Sequence, residues 1–242
     1  MTAFVLGATG FVGREVVRQL CARGARAIAH VRPDSPRLEE WRGRLAELGA
    51  EVDATPWDAA RLGARLAELE RTQLQLYLLM GTTRRRAKAD RVEGDIYETV
   101  DLGLTRIAVE AARAAAAPAP APAPGGGAGP RLVYLSSIGA DPGARSPYLR
   151  ARGKAEAVVT GAGLPYVIAR PSFIVGDRDE GRPGERAASF VGDGLLALAG
   201  ALGARGTRDR YRSTTPDVLA SALIRLAEAP ERDRIVDGAD LR

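Results

Sequence analysis

The chain has very few of the residues that most hydrolytic and metal-dependent sites require. It contains one cysteine, Cys21, and one histidine, His30, among 242 residues. A single cysteine cannot form an internal disulfide, and a single histidine offers no set of ligands for a zinc site. Cys21 directly follows Leu20 on a predicted helix, where we expect a half-buried, unreactive thiol. Histidine-dependent hydrolysis and zinc chemistry are therefore disfavoured, and we expect no metal site.

The sequence also lacks long apolar runs and has few aromatic residues. No stretch reaches the roughly eighteen consecutive apolar residues of a membrane span, and the first residues lack the basic start and cleavage site of a signal peptide. We therefore expect a cytoplasmic protein with no membrane partner. The net charge of +5 suits nucleic acid and a phosphate-rich cofactor equally. Because aromatic residues make up only 5% of the chain and no nucleic-acid-binding motif is present, we expect no nucleic-acid partner.

A glycine-rich turn near the start is the strongest feature that is present. An apolar run leads into Gly7-Ala8-Thr9-Gly10-Phe11-Val12-Gly13, and apolar residues at helical spacing follow. Glycines let the backbone approach a pyrophosphate closely, while the N–H groups and dipole of the following helix attract its negative charge. The order of strand, glycine turn and helix predicts a dinucleotide site at the start of a Rossmann-type domain, and the alternative is a purely structural turn.

The ends of the next two predicted strands bear on which dinucleotide is bound. Arg32 follows a strand over residues 25–31 and can pair with the 2′-phosphate of NADP. The alternative for Arg32 is a solvated side chain at a strand end, and the nearby Asp34 keeps NAD as the alternative cofactor. Asp53, at the exit of a third strand over residues 51–54, is placed to approach an adenine. We favour NADP.

Later segments continue the alternation of strands and helices. Residues 74–80 form a continuous apolar run, typical of a parallel strand covered on both faces. Gly81 and Thr82 follow it at the edge where ligands of such sheets bind. The basic residues 84–88 come next, and we interpret them chiefly as a solvated loop, with an anion-attracting rim and nucleic-acid contact as alternatives. We expect one α/β domain over residues 1–242, a doubly wound parallel sheet with helices on both faces.

Two segments interrupt that alternation. Residues 117–129 alternate alanine with proline and end in glycines, which indicates a flexible surface insertion rather than a domain boundary. The segment 171–212 follows a sixth strand over residues 164–169 and contains a charged, glycine-rich stretch and an apolar helix. We expect this segment to form the cleft for a small-molecule substrate.

A strand and a helix in the second half carry the polar residues best suited to catalysis. The strand over residues 131–137 ends in two serines, and the helix over residues 148–160 places Tyr148 and Arg152 on one face. Reduction of a carbonyl needs a proton for the oxygen, and a tyrosine beside a cation is suited to supply it. A serine can hydrogen-bond the same oxygen.

Six short motifs, spread over nearly the full length, make the chain resemble an atypical short-chain dehydrogenase/reductase. They are GATGFVG at 7–13, GTTR at 81–84, LSSIGAD at 135–141, YLRARGKAE at 148–156, RPSFIVGDR at 170–178 and GRPGE at 181–185. Within that group the chain looks most like the Tat-interacting-protein-type oxidoreductases, with NmrA-like sensors as relatives. The resemblance implies an NADP-binding Rossmann-type fold and hydride transfer to or from a small carbonyl or alcohol.

The resemblance also implies roles for individual residues. Tyr148 is the implied proton donor or acceptor, with Arg152 beside it and Ser137, or failing that Ser136, bonded to the same substrate oxygen. The candidate cofactor-binding residues are Gly7, Thr9, Gly10, Phe11, Val12, Gly13, Arg32, Asp53, Gly81, Thr82, Tyr148, Arg152 and Pro171.

Arg152 is where the chain departs from the family pattern Tyr-x-x-x-Lys. An arginine can bond a ribose and favour the ionised tyrosine through its charge, but it does not release a proton. Lys154 lies roughly 240° around the helix from Tyr148 and is not expected to replace the missing lysine. Two hypotheses stay open: an NADP-dependent oxidoreductase, and an NADP(H)-sensing regulatory protein that acts on a protein partner. The sequence also leaves monomer and homodimer as alternatives.

Overall fold

The computed structural model describes residues 1–69, 73–81, 95–116, 129–175 and 213–242. Its strands are β1 (Thr2–Leu6), β2 (Arg26–His30), β3 (Glu51–Asp53), β4 (Leu74–Leu78), β5 (Arg131–Leu135), β6 (Tyr166–Arg170) and β7 (Arg234–Asp237). These strands form one sheet in the order β3-β2-β1-β4-β5-β6-β7, and every pairing in it is parallel.

Helices connect the strands of this parallel sheet. They are α1 (Phe11–Ala22), α2 (Leu38–Glu47), α3 (Ala59–Ala67), α4 (Gly103–Ala116), α5 (Pro147–Thr160) and α6 (Pro216–Glu228). A π-helical turn, Tyr97–Leu102, runs directly into α4, and a short 3₁₀ helix, Gly238–Leu241, follows β7.

Apolar side chains cover both faces of the sheet. β1 and β4 are buried at every position, as their continuous apolar runs predict. On one face pack α1, α2 and α6, with Val16 and Leu223 wholly buried. On the other face pack α3, α4 and α5, with Ala108 and Val159 wholly buried. The predicted doubly wound α/β fold is confirmed.

The strand order reverses beside β1, and this reversal places the functional site. β2 and β3 lie on one side of β1, whereas β4 and the later strands lie on the other. Leu6 pairs with Leu78, and the N–H of Leu79 donates to the carbonyl oxygen of Leu6 at 3.0 Å. The carboxyl ends of β1 and β4 therefore lie side by side. Ligands of open α/β sheets bind in the crevice at such a reversal.

The sequence does not predict three features of the observed fold. The first is α3, a short helix. Asp58 caps its start, because the Asp58 side chain accepts a hydrogen bond from the N–H of Arg61 at 2.9 Å. β7 is an edge strand without a continuous apolar run, and Ile235 within it is 46% exposed. The π-helical turn before α4 has no period of its own in the sequence.

Several predictions from the sequence concern residues that the structure does not describe. Thr82, the basic run 84–88, residues 117–128 of the insertion and residues 176–212 of the expected substrate cleft lie outside the described ranges. Among the described residues, no helix is long and apolar enough to cross a membrane, and no cluster of potential metal ligands occurs. Cys21 is partly buried, and burial raises the pKa of its thiol, as an unreactive cysteine requires.

Candidate functional site

The glycine turn between β1 and α1 depends on the absence of side chains at two positions. Gly7 has a φ of 86°, and a Cβ there would lie 2.7 Å from the carbonyl carbon of Leu79. A Cβ at Gly13 would lie 2.1 Å from the carbonyl oxygen of Gly7. The N–H of Gly10 donates to that same carbonyl at 2.9 Å and closes the turn. The turn therefore holds the start of α1 tightly against the ends of β1 and β4.

The N-terminus of α1 is arranged to attract an anion. Gly10 is the N-cap residue and has no side chain with which to cap the helix, and the first turn contains no acidic residue. Such a terminus carries a partial positive charge and outward-directed backbone N–H groups. Phe11 is partly exposed, whereas the side chain of Val12 is buried in the core, so Val12 contributes to this terminus through its backbone.

A cleft of about 450 Å³ opens beside the glycine turn, at the carboxyl ends of the strands. This volume is within the range of small-molecule and cofactor sites. Among the described residues, the cleft is lined by Gly7, Thr9, Gly10, His30, Val31, Arg32, Pro33, Asp34, Ser35, Pro56, Trp57, Leu79, Met80, Gly81, Thr99, Val100 and Leu104. Five of the predicted cofactor-binding residues thus share one cleft: Gly7, Thr9, Gly10, Arg32 and Gly81.

Arg32 supplies a cation to this cleft at the end of β2. Its side chain is 33% exposed, and its Nε lies 3.8 Å from Oδ1 of Asp34. An exposed ion pair at this distance contributes about 0 to 1 kcal/mol. A phosphate entering the cleft would therefore meet little competition from Asp34 for the guanidinium. The position of Arg32 matches the one that the sequence predicts.

Two aromatic residues in the cleft are not among the predicted site residues. The rings of His30 and Trp57 meet edge to face, with centroids 5.2 Å apart. Nε2 of His30 lies 2.7 Å from the carbonyl oxygen of Thr55, and burial lowers the pKa of this histidine. The indole N–H of Trp57 is buried and has no hydrogen-bond partner within the described part of the chain. Trp57, which follows β3, is partly exposed and lines the cleft, so its ring offers a surface against which a planar base can stack.

Asp53 is turned away from the role that the sequence predicts for it. Its carboxylate accepts hydrogen bonds from Nε of Arg65 at 2.7 Å and from the N–H of Thr55 at 2.9 Å. Although burial opposes the charged form, these bonds lower the pKa of Asp53. Asp53 does not line the cleft among the described residues. The carboxylate therefore fastens the segment after β3 to α3 instead of approaching an adenine.

Arg152 lies beside Tyr148 on α5, as their helical spacing predicts. Its guanidinium carbon is 5.4 Å from the centroid of the Tyr148 ring. Nη1 donates to the carbonyl oxygen of Leu135 at 2.9 Å and to the hydroxyl of Tyr134 at 3.1 Å. Nη2 donates to the carbonyl oxygen of Met80 at 3.1 Å. The guanidinium therefore ties the end of β4 to the end of β5.

Asp101, in the π-helical turn, completes the set of groups around Arg152. Its Oδ1 lies 2.8 Å from Nη2 of Arg152, and the two side chains are 0% and 7% exposed. Burial disfavours the charged guanidinium, but the attraction of Tyr134, Tyr148 and Asp101 holds the pKa of Arg152 well above its ordinary value. Three hydrogen bonds and one ion pair engage both terminal nitrogens. The structure therefore directs the guanidinium at protein groups instead of the predicted ribose.

The two serines after β5 have different environments. Ser136 is buried, and its hydroxyl donates to Oε1 of Glu156 at 2.5 Å. Nε of Arg170 donates to the same oxygen at 2.8 Å, so Ser136 belongs to a buried polar network. Ser137 is partly exposed, and its hydroxyl is 3.4 Å from the carbonyl oxygen of Ile138, a long and weak contact. Ser137 is therefore the serine that is better placed to bond a substrate oxygen.

The remaining predicted residues have structural contacts. Nζ of Lys154 lies 2.5 Å from Oε1 of Glu98, so this lysine is engaged elsewhere and does not stand in for the family lysine. The carbonyl oxygen of Pro171 accepts a hydrogen bond from the N–H of Ile138 at 2.9 Å and joins the segments after β5 and β6. Gly81 lines the cleft and also lies against the candidate catalytic residue Arg152, since a Cβ at Gly81 would lie 2.6 Å from Nη2 of Arg152.

Comparison with known proteins gives relatives that span most of the chain. No family model matches it. Protein fmp52, mitochondrial, from Aspergillus fumigatus is 32% identical over 225 residues, which cover 91% of this chain and 84% of that protein. Ceramide reductase from Caulobacter vibrioides is 31% identical over 175 residues, which cover 72% of this chain and 47% of that protein.

Solved structures share the fold at lower identity. ChuY, an anaerobillin reductase from Escherichia coli O157:H7, superposes with a TM-score of 0.62 at 16% identity. The match covers 98% of this chain and 95% of the ChuY chain. BdcA, solved in complex with NADPH, has a TM-score of 0.57 at 18% identity, and the match covers 98% of this chain and 93% of the BdcA chain. At these identities the likeness shows the fold, which is the one predicted from the sequence.

The relatives correct the expected location of the protein. The Aspergillus fumigatus protein is named mitochondrial, and so are further fungal relatives of the same name. The expectation of a cytoplasmic protein is therefore wrong. It rested on the lack of a recognisable leader sequence, which is not evidence for any one location.

Proposed function

This chain belongs to the fmp52 protein family and has the NAD(P)-binding fold of the atypical short-chain dehydrogenases/reductases, and from that premise we propose that it is an NADP(H)-dependent oxidoreductase. Its substrate is a small carbonyl compound or alcohol. The observation that carries the proposal is the continuity of the site, because the glycine turn and Arg32 share one cleft and Gly81 of that cleft abuts the Arg152–Tyr148 pair. When bound, the dinucleotide supplies or accepts the hydride.

The shape of the glycine turn supports a pyrophosphate at the start of α1. A Cβ at Gly7 or Gly13 would meet backbone atoms within 3.0 Å, so the turn fits only a chain that lacks side chains there. Gly10, the N-cap of α1, lines the cleft without a side chain, so the backbone there can approach a phosphate closely, and the uncapped helix terminus favours the phosphate's charge. Thr9 and Gly10 line the same part of the cleft. The ring of Trp57, held edge to face against His30, offers the surface for the adenine.

Arg32 supports NADP over NAD. The 2′-phosphate of NADP carries the negative charge that a guanidinium pairs with bidentately, whereas NAD requires an acceptor for its ribose hydroxyls. Asp34 is the acidic residue near this position, but it is 75% exposed and already lies beside Arg32. We therefore assign Arg32 to the 2′-phosphate.

Tyr148 and Ser137 supply the groups that the reaction needs at the substrate oxygen. In the reducing direction the carbonyl carbon takes up the hydride, and the oxygen takes up the hydroxyl proton of Tyr148. Ser137 donates a hydrogen bond to that oxygen as negative charge develops on it. Arg152 holds the ends of β4 and β5 and the Tyr148 ring in place, because its terminal nitrogens bond protein groups.

A second candidate function is NADP(H) sensing without turnover. The engagement of Arg152 by four protein groups favours it, since an arginine at the position of the family lysine does not relay a proton. A sensor would bind the dinucleotide and pass on its state to a protein partner. A sensor has no chemical need for Tyr148 and Ser137, and for that reason we rank it second.

Oxidation of NADPH against a panel of aldehydes, ketones and quinones tests the proposal. We expect Tyr148→Phe to lower turnover by about 100-fold or more, the usual contribution of a general acid, with NADPH affinity nearly unchanged. Tyr97→Phe is the matched control, because its ring contacts that of Tyr148 edge to face at 5.4 Å and the proposal gives its hydroxyl no role. Absence of turnover in all three proteins, with NADPH still bound tightly, would support the sensor and refute the oxidoreductase.

A further inference from the structure

The carboxylate of Asp53, which the sequence predicts beside the adenine, is bonded to Arg65 instead. We propose that Arg65 is a specificity-determining residue: it keeps this carboxylate from the base, so the amino group of adenine is not read and the base is held by stacking on Trp57. The cleft should therefore also accept a dinucleotide that carries hypoxanthine in place of adenine. The inference rests on the proposed function in one respect, which is that an NADP-type dinucleotide occupies the cleft.

The strand order determines which end of the cleft would receive the base. The nicotinamide has to reach Tyr148 and Ser137, which belong to α5 and to the segment after β5, on one side of β1. The pyrophosphate belongs at the glycine turn after β1, and the 2′-phosphate belongs at Arg32 on the other side. The adenine would therefore lie over the ends of β2 and β3, where Pro56 and Trp57 line the cleft.

Arg65 is anchored by three carboxylates. Its Nε donates to Oδ2 of Asp53 at 2.7 Å. Its Nη2 donates to Oε1 of Glu51 at 2.7 Å, and its Nη1 donates to Oε2 of Glu68 at 3.0 Å. To reach a base in the cleft, the Asp53 carboxylate would have to turn away from Arg65 and exchange a charge-assisted bond for a neutral one about half as strong. Asp53 therefore stays with Arg65 when a base enters.

The surroundings of Asp53 hold the carboxylate in the same orientation. Its side chain is 7% exposed, and it does not line the cleft among the described residues. The N–H of Thr55 donates to its Oδ1 at 2.9 Å, so each carboxylate oxygen has a protein partner. The carbonyl oxygen of Thr55 in turn lies 2.7 Å from Nε2 of His30. The polar groups of Asp53 and Thr55 are thus engaged within the protein, and the ring of Trp57 remains for the base.

Adenine and hypoxanthine differ at the atom that such a carboxylate would read. Adenine carries an amino group at C6, whereas hypoxanthine carries a carbonyl oxygen there. A carboxylate bonded to the amino group would disfavour hypoxanthine by about tenfold or more, because a hydrogen bond to a charged acceptor is lost and two oxygens face each other. Stacking on an indole does not separate the two bases, since both present a similar π face. NADPH and its hypoxanthine analogue should therefore bind within about threefold of each other.

Isothermal titration calorimetry with NADPH and with its hypoxanthine analogue measures this preference. Arg65→Gln releases the Asp53 carboxylate, so we expect the preference for NADPH to rise to about tenfold. Arg61→Gln is the matched control. It removes a cation from an exposed position one turn earlier on α3, where the described hydrogen bond to Asp58 comes from the backbone N–H. This control should leave the ratio of the two affinities unchanged.

The stacking part of the inference has its own variants. Trp57→Ala should weaken both dinucleotides alike, by at least about fivefold. Trp57→Phe keeps an aromatic ring and should restore most of that affinity. Unchanged affinities in Trp57→Ala, or a loss confined to NADPH, would overturn the inference. Circular dichroism melting confirms that each variant is folded.

The outcomes separate this inference from the proposed function. Affinities of the wild type within about threefold, with NADPH preferred by Arg65→Gln, support the inference even if no substrate is turned over. A larger preference for NADPH in the wild type, or a ratio that Arg65→Gln leaves unchanged, overturns the inference and leaves the NADP(H) proposal intact. Failure of both dinucleotides to bind refutes the proposed function and the inference together. If Arg65→Gln does not fold, Asp53→Asn decides: equal effects on both dinucleotides support the inference, and a loss confined to NADPH overturns it.

Discussion

Substitution of Gly13 by alanine tests whether the glycine turn is shaped for a cofactor or only closes a loop. The new Cβ would lie 2.1 Å from the carbonyl oxygen of Gly7, 2.9 Å from its carbonyl carbon and 3.0 Å from Cα of Ala8. Since Cβ atoms essentially never come within 3.0 Å of another heavy atom, the turn and α1 must separate by about 0.9 Å at the closest contact. That contact is between rigid backbone segments, so no flexible side chain can absorb the displacement.

Two energies follow from this displacement. Overpacking of this kind costs about 1 to 3 kcal/mol, and the better helix propensity of alanine offsets about 1 kcal/mol of it. We therefore expect Gly13→Ala to be destabilised by up to about 2 kcal/mol, which lowers the melting temperature by up to roughly 8 °C. The helix N-terminus moves away from the phosphate as well. Loss of a charge-assisted hydrogen bond worth about 1.5 kcal/mol or more weakens NADPH binding by at least about tenfold.

Gly43 provides the matched control for this substitution. It lies inside α2, and a Cβ there would meet nothing within 4 Å. Gly43→Ala should therefore raise stability by up to about 1 kcal/mol and leave NADPH affinity unchanged. Thermal unfolding followed by circular dichroism and NADPH titration on the same samples give both quantities. The reasoning fails if Gly13→Ala binds NADPH as tightly as Gly43→Ala does.

Two further predictions follow from the structure. His30 should make the free energy of unfolding depend on pH. Burial lowers the pKa of His30 in the folded chain below the ordinary 6.5, so the unfolded chain takes up the proton first as the pH falls. The stability that is present above pH 6.5 is therefore lost as the pH falls through the folded pKa. Urea unfolding at about pH 7 and about pH 5 should show a larger loss for wild type than for His30→Gln, and equal losses would refute this. Residues 117–128 should be replaceable by a short Gly-Ser linker, because a Cβ at Gly129 would lie only 2.7 Å from Cβ of Ala116, so the ends to be joined are close together. A melting temperature within a few degrees of wild type is expected, and failure to fold would contradict it.

The sequence predicts the parts of the fold and site that depend on local pattern. The apolar runs of β1 and β4 lie in the chain as continuous segments, and strands buried on both faces need nothing more. The glycine turn is also local, and so is the one-face spacing of Tyr148 and Arg152. Arg32 is predictable for the same reason, because it directly follows a strand whose carboxyl end forms the cleft.

The parts that the sequence does not predict depend on contacts between distant segments. Asp101 looks like an ordinary residue at the start of a helix, and only the π-helical turn brings it to Arg152. The carboxylate of Asp53 could serve an adenine by its position in the chain, but Arg65 of the unpredicted α3 takes it. Trp57 becomes a cleft residue because the segment after β3 folds back beside His30. None of these contacts produces a regular spacing of residue types that could be recognised in the sequence.

The central claim is that the cleft beside the glycine turn binds NADP(H), with Arg32 on the 2′-phosphate. Trp57 lines that cleft, so its fluorescence can report binding directly. In parallel titrations of wild type and Arg32→Ala with NADPH and NADH, we predict that wild type binds NADPH at least about tenfold more tightly, and that the variant loses this preference while its NADH affinity changes little. Equal affinity of the wild type for both dinucleotides, or NADPH affinity that is unchanged in Arg32→Ala, would contradict the account.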